Sequence, residues 1–214
     1  MDGGTLKHDS LGTIRLVRDA GGTWIERDTR TAQPLLRWLA RRLAAREAAV
    51  LTTLAGIPNV PKLLTFDGAV VRRSYLRGVP LHEAPPRRAA FFRSALRVLR
   101  AMHRAGVTHN DLAKEANWLV GPNDLAQVVD FQIATRAHRR NRGFRRRAHE
   151  DLRHLLKHKR TYQPERLTAR QRRILATPVL ATRLWRAVVK PIYHSVTRGL
   201  LGWPERRGPK ERLR

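Results

Sequence analysis

The chain has 214 residues, 42% of them hydrophobic, enough for one large domain or two small lobes around a real core. It contains no cysteine, which excludes disulfides, thiolate metal sites and cysteine nucleophiles and fits a reducing compartment. A net charge of +27, carried by 44 basic residues of which only seven are lysine, points to anionic partners: nucleic acid, an anionic membrane face or a phosphorylated ligand. No apolar run of signal-peptide length opens the sequence and none reaches the length of a membrane span, so a cytoplasmic protein is expected.

In chain order, residues 13–18 alternate and are β-branched, residues 19–22 carry turn chemistry, and residues 23–27 read as a second strand, so a hairpin is expected. A helix follows over 34–54, with Leu35, Leu36, Leu39, Leu43, Val50, Leu51 and Leu54 at helical spacing, stopped by Gly56-Ile57-Pro58-Asn59. Two strands fit residues 62–66 and 69–76, turning at Asp67-Gly68. Arg77-Gly78-Val79-Pro80 and Pro85-Pro86 mark a lobe boundary, which divides the chain into 1–77, 78–176 and a tail, 177–214. Residues 88–105 are helical, with Phe91, Phe92, Ala95, Leu96, Leu99 and Met102 on one face. Short strands fit 118–120 and 127–129, and helix is expected from Asp151 onward. The run from Arg136 to Arg147, with seven arginines, reads as a solvated mobile loop, with an anion-binding segment as the alternative.

The chemistry concentrates in residues 107–132. Asp111 and Asn117 lie in one loop, and Asp130 follows a short hairpin, which places three oxygen-bearing side chains at one cleft edge. Mg²⁺ takes oxygen ligands and shares them with substrate phosphates. Phosphoryl transfer also needs a carboxylate to orient the attacking hydroxyl.

The segment His109-Asn110-Asp111-Leu112, with Asn117 and Asp130-Phe131 downstream, resembles the catalytic loop and metal motif of the protein-kinase superfamily. That resemblance implies a two-lobed α+β fold: a small antiparallel β lobe with one αC-type helix, and a larger, mainly helical lobe. It implies ATP and Mg²⁺ as cofactors, Asp111 as catalytic base, Asn117 and Asp130 as metal ligands, and His109 as the residue that shapes the loop. Glu47, in Arg46-Glu47-Ala48-Ala49-Val50-Leu51, corresponds to the αC glutamate, with a plain surface charge as the alternative. Residues 74–81 resemble the hinge that holds adenine.

Several positions depart from the pattern. No lysine lies between Lys7 and Lys62, so Arg27 stands where the strand-three lysine is expected, a fixed cation able to pair Glu47 and reach phosphate. The glycine-rich loop is reduced to Asp9-Ser10-Leu11-Gly12-Thr13, leaving Gly12 to cover phosphate. Asp111 and Asn117 are six apart instead of five, Gln132 replaces the motif's glycine, and no Ala-Pro-Glu follows.

This trimmed pattern is similar to the RIO-type and lipopolysaccharide-kinase branches, over residues 5–160. The expected acceptor is a protein serine or threonine, with a sugar hydroxyl of an anionic glycolipid as the alternative. A pseudokinase or basic RNA-binding adaptor is a third reading. Nucleic acid is not favoured, because no aromatic-rich RNA-reading motif accompanies the arginines. Asp151 reads as a brace for the catalytic loop or as a helix N-terminal charge. The stripe Leu180, Leu184, Trp185, Val188, Val189, Ile192, Val196 and Leu200 either packs on its own domain or contacts an anionic membrane surface. His154 and His158 lack a third ligand nearby and read as ordinary histidines.

Overall fold

A computed structural model describes residues 2–177 as an α+β fold, with a five-stranded antiparallel sheet and four α-helices among the described residues. The arrangement is compatible with a small two-lobed kinase-like fold. Strands β1 (Asp2–Asp9), β2 (Gly12–Asp19) and β3 (Gly22–Asp28) form a meander, and a 3-10 turn at Pro34–Leu36 leads into α1 (Arg37–Thr53). Strands β4 (Leu63–Phe66) and β5 (Val70–Ser74) complete a sheet ordered β1-β2-β3-β5-β4.

The chain then passes through β6 (Val79–Pro80), α2 (Ala90–Arg104), β7 (Val107–Thr108), β8 (Trp118–Val120), β9 (Ala126–Val128) and β10 (Thr135–Arg136). Helices α3 (Arg142–Tyr162) and α4 (Ala169–Ala176) close the described chain. Strands β6, β8 and β9 form one small sheet, and β7 pairs with β10 in another.

The expected hairpin is present, with Thr13 opposite Asp28 and Asp19 opposite Gly22, whose φ of 129° suits a residue without a Cβ. Strand β1 was not anticipated. Its sequence has no β-branched alternation, and it lies at the sheet edge with Leu6 58% exposed, so backbone pairing to β2 rather than burial defines it. Leu35 is also displaced from expectation: it sits in the 3-10 turn before α1, 87% exposed, off the buried stripe of the helix.

The expected loop at 136–147 requires correction, because residues 142–147 are the first turns of α3. The Asn141 side chain accepts from the Phe144 N–H at 2.9 Å and caps the helix. Phe144 is buried, and Asp151, Leu155 and His158 continue its face inward, while Arg145 and Arg146 are exposed. Helix therefore begins nine residues ahead of Asp151.

One continuous core joins α1 to the helical part. Val50, Leu51 and Leu54 belong to the same cluster as Leu81, Phe91, Leu99, Met102, Trp118, Val128, Phe131 and Leu155. The Phe91 and Trp118 rings meet edge-on at 6.5 Å. Each such side chain contributes about 1.5–3 kcal/mol when fully buried, so this cluster fixes the strands that carry the site. Residues 1–171 form one compact unit and a second begins at Arg172. The amphipathic tail expected over 177–214 lies, beyond Thr177, outside the described residues. Among the described residues no helix is long and apolar enough to cross a membrane.

Candidate active site

Two loops, residues 109–117 and 129–134, connect the same pair of small sheets. The first runs from β7 to β8 and the second from β9 to β10. Since β7 pairs with β10 and β8 with β9, the loops are held side by side at both ends. The Val129 N–H donates to the Asn117 carbonyl at 3.0 Å, and Asn110 Nδ2 donates to the Ile133 carbonyl at 2.8 Å and to Thr135 Oγ1 at 2.7 Å. Asp111 and Asp130 are thereby carried on adjacent loops.

His109 is the packing centre of the pair. Its ring is fully buried and lies 4.8 Å from that of Phe131. Nε2 donates to the Val129 carbonyl at 3.0 Å, and Nδ1 accepts from the Asp111 N–H at 3.3 Å. Both bonds form together only in the neutral tautomer that carries its proton on Nε2. Burial accordingly pushes the imidazole below its ordinary range, opposed by the negative charges of Asp151, Asp130 and Asp111. His109 thus ties the Asp111 backbone to that of Val129 and has no solvent-exposed surface.

Asp151 on α3 braces the loop from beneath. Its carboxylate accepts from the His109 N–H at 2.8 Å and the Asn110 N–H at 2.9 Å, and His103 Nε2 lies 3.2 Å away. Asn110 sits at φ 69°, a left-handed conformation that these bonds hold in place. The brace reading of Asp151 is therefore the one the geometry carries.

On the loop itself, Asn117 Nδ2 donates to both the Asp111 carbonyl and Asp111 Oδ2, each at 3.0 Å. Lys114 Nζ lies 2.6 Å from the same Oδ2. Lys114, three residues after Asp111 and 63% exposed, was not singled out from the sequence, although its place inside the loop is a signal that could have found it.

Arg27, Glu47 and Arg73 meet on the other side, within electrostatic reach of Asp130. Glu47 is fully buried on α1, so the surface-charge reading is set aside. Arg27 Nη1 stands 3.8 Å from Glu47 Oε2, while Arg73 of β5 makes the direct ion pair with Glu47 Oε1. Arg73 also escaped the sequence reading. It lies opposite Ile25 in register, on the face that Arg27 shares, and only the sheet pairing reveals that it points inward. Burial lowers the affinity of the Arg27 guanidinium for its proton, opposed by Glu47, reinforced by Arg73, and opposed again by Asp130 and Asp9. Gly12 has a packing role. At φ 118° it passes so close to the Asp28 carbonyl that no Cβ fits.

The residues present fit a phosphate and metal. Arg27 Nε and Nη1, Glu47 Oε2 and Asp130 Oδ1 are buried without a hydrogen-bond partner. Such groups are costly unless something completes them. Asp130 also holds a left-handed φ of 69°, where side chains are uncommon. Among the described residues no group of three or more His, Cys, Asp or Glu could hold a metal by itself. Mg²⁺ bound through one carboxylate, one amide and substrate phosphates needs no such group.

No protein-family model matches the chain. A stretch of 52 residues, 24% of this chain, is 48% identical to "Serine/threonine-protein kinase PknE" of Mycobacterium tuberculosis strain H37Rv, and to the protein of the same name from Mycobacterium bovis. The match spans 9% of the length of these relatives. Over that part of its length the chain is similar to serine/threonine protein kinases, a coarse protein-kinase-like relationship.

Proposed function

We propose that this chain is an ATP- and Mg²⁺-dependent phosphotransferase that moves the γ-phosphoryl group to a hydroxyl, of a minimal RIO-like type acting on protein serine or threonine. The observation that carries this reading is the pairing of the two loops. It sets Asp111, held by Asn117 and Lys114, beside a loop whose Asp130 keeps an unpartnered buried oxygen near Arg27.

Asp111 accepts a hydrogen bond from the acceptor hydroxyl and aims its oxygen at the γ-phosphorus. The new O–P bond forms as the bond to the β,γ-bridging oxygen breaks, ADP leaves, and the hydroxyl proton passes through Asp111 to solvent. Lys114 places positive charge beside that carboxylate. Arg27 faces the phosphates, and Glu47 with Arg73 fixes the strand and helix around it. Asn117 and Asp130 would hold the metal, which when bound neutralises charge on the phosphate oxygens. Residues 1–77 and 78–176 would act as the two lobes around the nucleotide, in a protein acting in the cytoplasm or at the inner membrane face.

A sugar hydroxyl of an anionic glycolipid is the second acceptor class, favoured by the arginine-covered surface. Labelled ATP offered separately to a protein mixture and to lipopolysaccharide core decides between them. Protein labelling that disappears with Asp111→Ala is expected. Label on the sugar alone would reassign the acceptor, and no transfer to either would refute the phosphotransferase reading.

A further inference from the structure

Leu35 and Trp38 are the two most exposed large hydrophobic side chains among the described residues, at 87% and 65%. They stand one turn apart where the 3-10 turn enters α1. At 3.6 residues per turn, Trp38 falls at the centre of the outward arc of α1, with Arg37 and Arg41 on one side and Arg42 and Arg46 on the other. All four arginines are exposed. The only acid in the helix, Glu47, is fully buried on the opposite face, so the outward charge is entirely positive. Arginine also lines the outer face of α2, at Arg93, Arg97, Arg100 and Arg104, but without an exposed large apolar side chain beside it. The α1 face therefore differs in kind from the general basic surface.

We propose that this face of α1 docks on an anionic bilayer surface, with Leu35 and Trp38 entering the headgroup layer and Arg37, Arg41, Arg42 and Arg46 contacting lipid phosphates. An indole between arginines suits an interface that is apolar on one side and charged on the other. Phosphates of a nucleic acid would satisfy the arginines equally, but would leave the Leu35 side chain without an apolar partner. The bilayer satisfies both halves of the pattern. This surface lies on the far side of α1 from Glu47 and does not depend on the proposed phosphotransfer.

The test is co-sedimentation of the full chain with vesicles of phosphatidylcholine alone or mixed equally with phosphatidylglycerol, at physiological salt. Binding to the anionic vesicles only is expected. The double variant Leu35→Ala, Trp38→Ala should weaken it about tenfold or more. Arg41→Gln and Arg42→Gln should weaken it by about fivefold each. Unchanged circular dichroism and melting of these surface variants confirms an intact fold. Vesicle binding indifferent to the Leu35 and Trp38 changes would overturn the proposal. So would equal binding to neutral vesicles, or arginine variants that lose RNA in a gel shift while keeping the vesicles.

Discussion

Arg73 on β5 makes the direct ion pair with Glu47, and Arg27 stands 3.8 Å from the other oxygen of the same carboxylate. Two buried cations thus share one acid, and the second negative charge that Arg27 feels is Asp130, on the 129–134 loop. Arg73 takes the direct ion pair, while Glu47 still supplies the largest favourable charge on Arg27. Arg27 Nε and Nη1 make no hydrogen bond within the protein.

Replacing Arg73 by Leu should therefore act twice. Glu47 would keep only a loose partner in a buried position, a loss of roughly 3 kcal/mol or more. Arg27 would be drawn onto Glu47, and KM for ATP should rise more than kcat falls. Arg73→Lys, which keeps the charge, should recover most of the KM. Chemical denaturation and steady-state kinetics measure both effects. A variant with unaltered melting and unaltered KM would show that the pair has no such role.

Asp151 accepts two backbone N–H groups of the 109–117 loop and faces His103. An asparagine keeps one acceptor oxygen but places an amide where the second N–H points. Asp151→Asn should cost about 2–3 kcal/mol and lower kcat through loss of loop geometry, with ATP affinity changed little. Equal stability and full turnover would contradict the brace.

Stability should decline on acidification. Burial, aided by Lys157 and His158, lowers His154 to about 4 from 6.5, against the opposing charge of Asp151. Burial likewise depresses His109 and His158. Between pH 6.5 and 4 the unfolded chain binds the extra protons, so unfolding becomes easier as pH falls. The His154 contribution is roughly 3 kcal/mol at most, because its side chain keeps 26% exposure beside Glu150. Denaturation midpoints at pH 7.5 and 5 measure the slope, and His154→Gln should flatten it. A midpoint that is constant or rises toward acid would contradict this.

Gly12→Ala separates packing from phosphate contact. The added methyl meets the Asp28 carbonyl at a φ of 118°, which should cost about 1–3 kcal/mol even without nucleotide. Loss of ATP affinity at unaltered apo stability would instead assign Gly12 to the phosphates.

The sequence disclosed α2 well, because its apolar stripe from Phe91 to Met102 has one period and one buried face. The placement of Asp111 and Asn117 in one loop, and of Asp130 after the β8–β9 hairpin, was also legible, since local spacing carries that pattern. The start of α3 was hidden by arginines, although Asn141 and Phe144 held the cap and the inner face. Strand β1 was hidden because an edge strand is specified by its neighbour. Arg73 and Lys114 were hidden for a third reason. Whether a cation points into a site is decided by sheet register and loop closure, which no single stretch of chain encodes.

In the proposed phosphotransferase, nucleotide phosphate and magnesium would complete Arg27, Asp130 and Asn117. Thermal melting of the wild type and of Asp130→Asn with ATP, with and without Mg²⁺, tests it before any acceptor is known. A rise in Tm of several degrees is expected for the wild type only with both ATP and Mg²⁺, corresponding to a few kcal/mol of linked binding, and its loss is expected in Asp130→Asn. No rise in the wild type, or an equal rise in the variant, would contradict it.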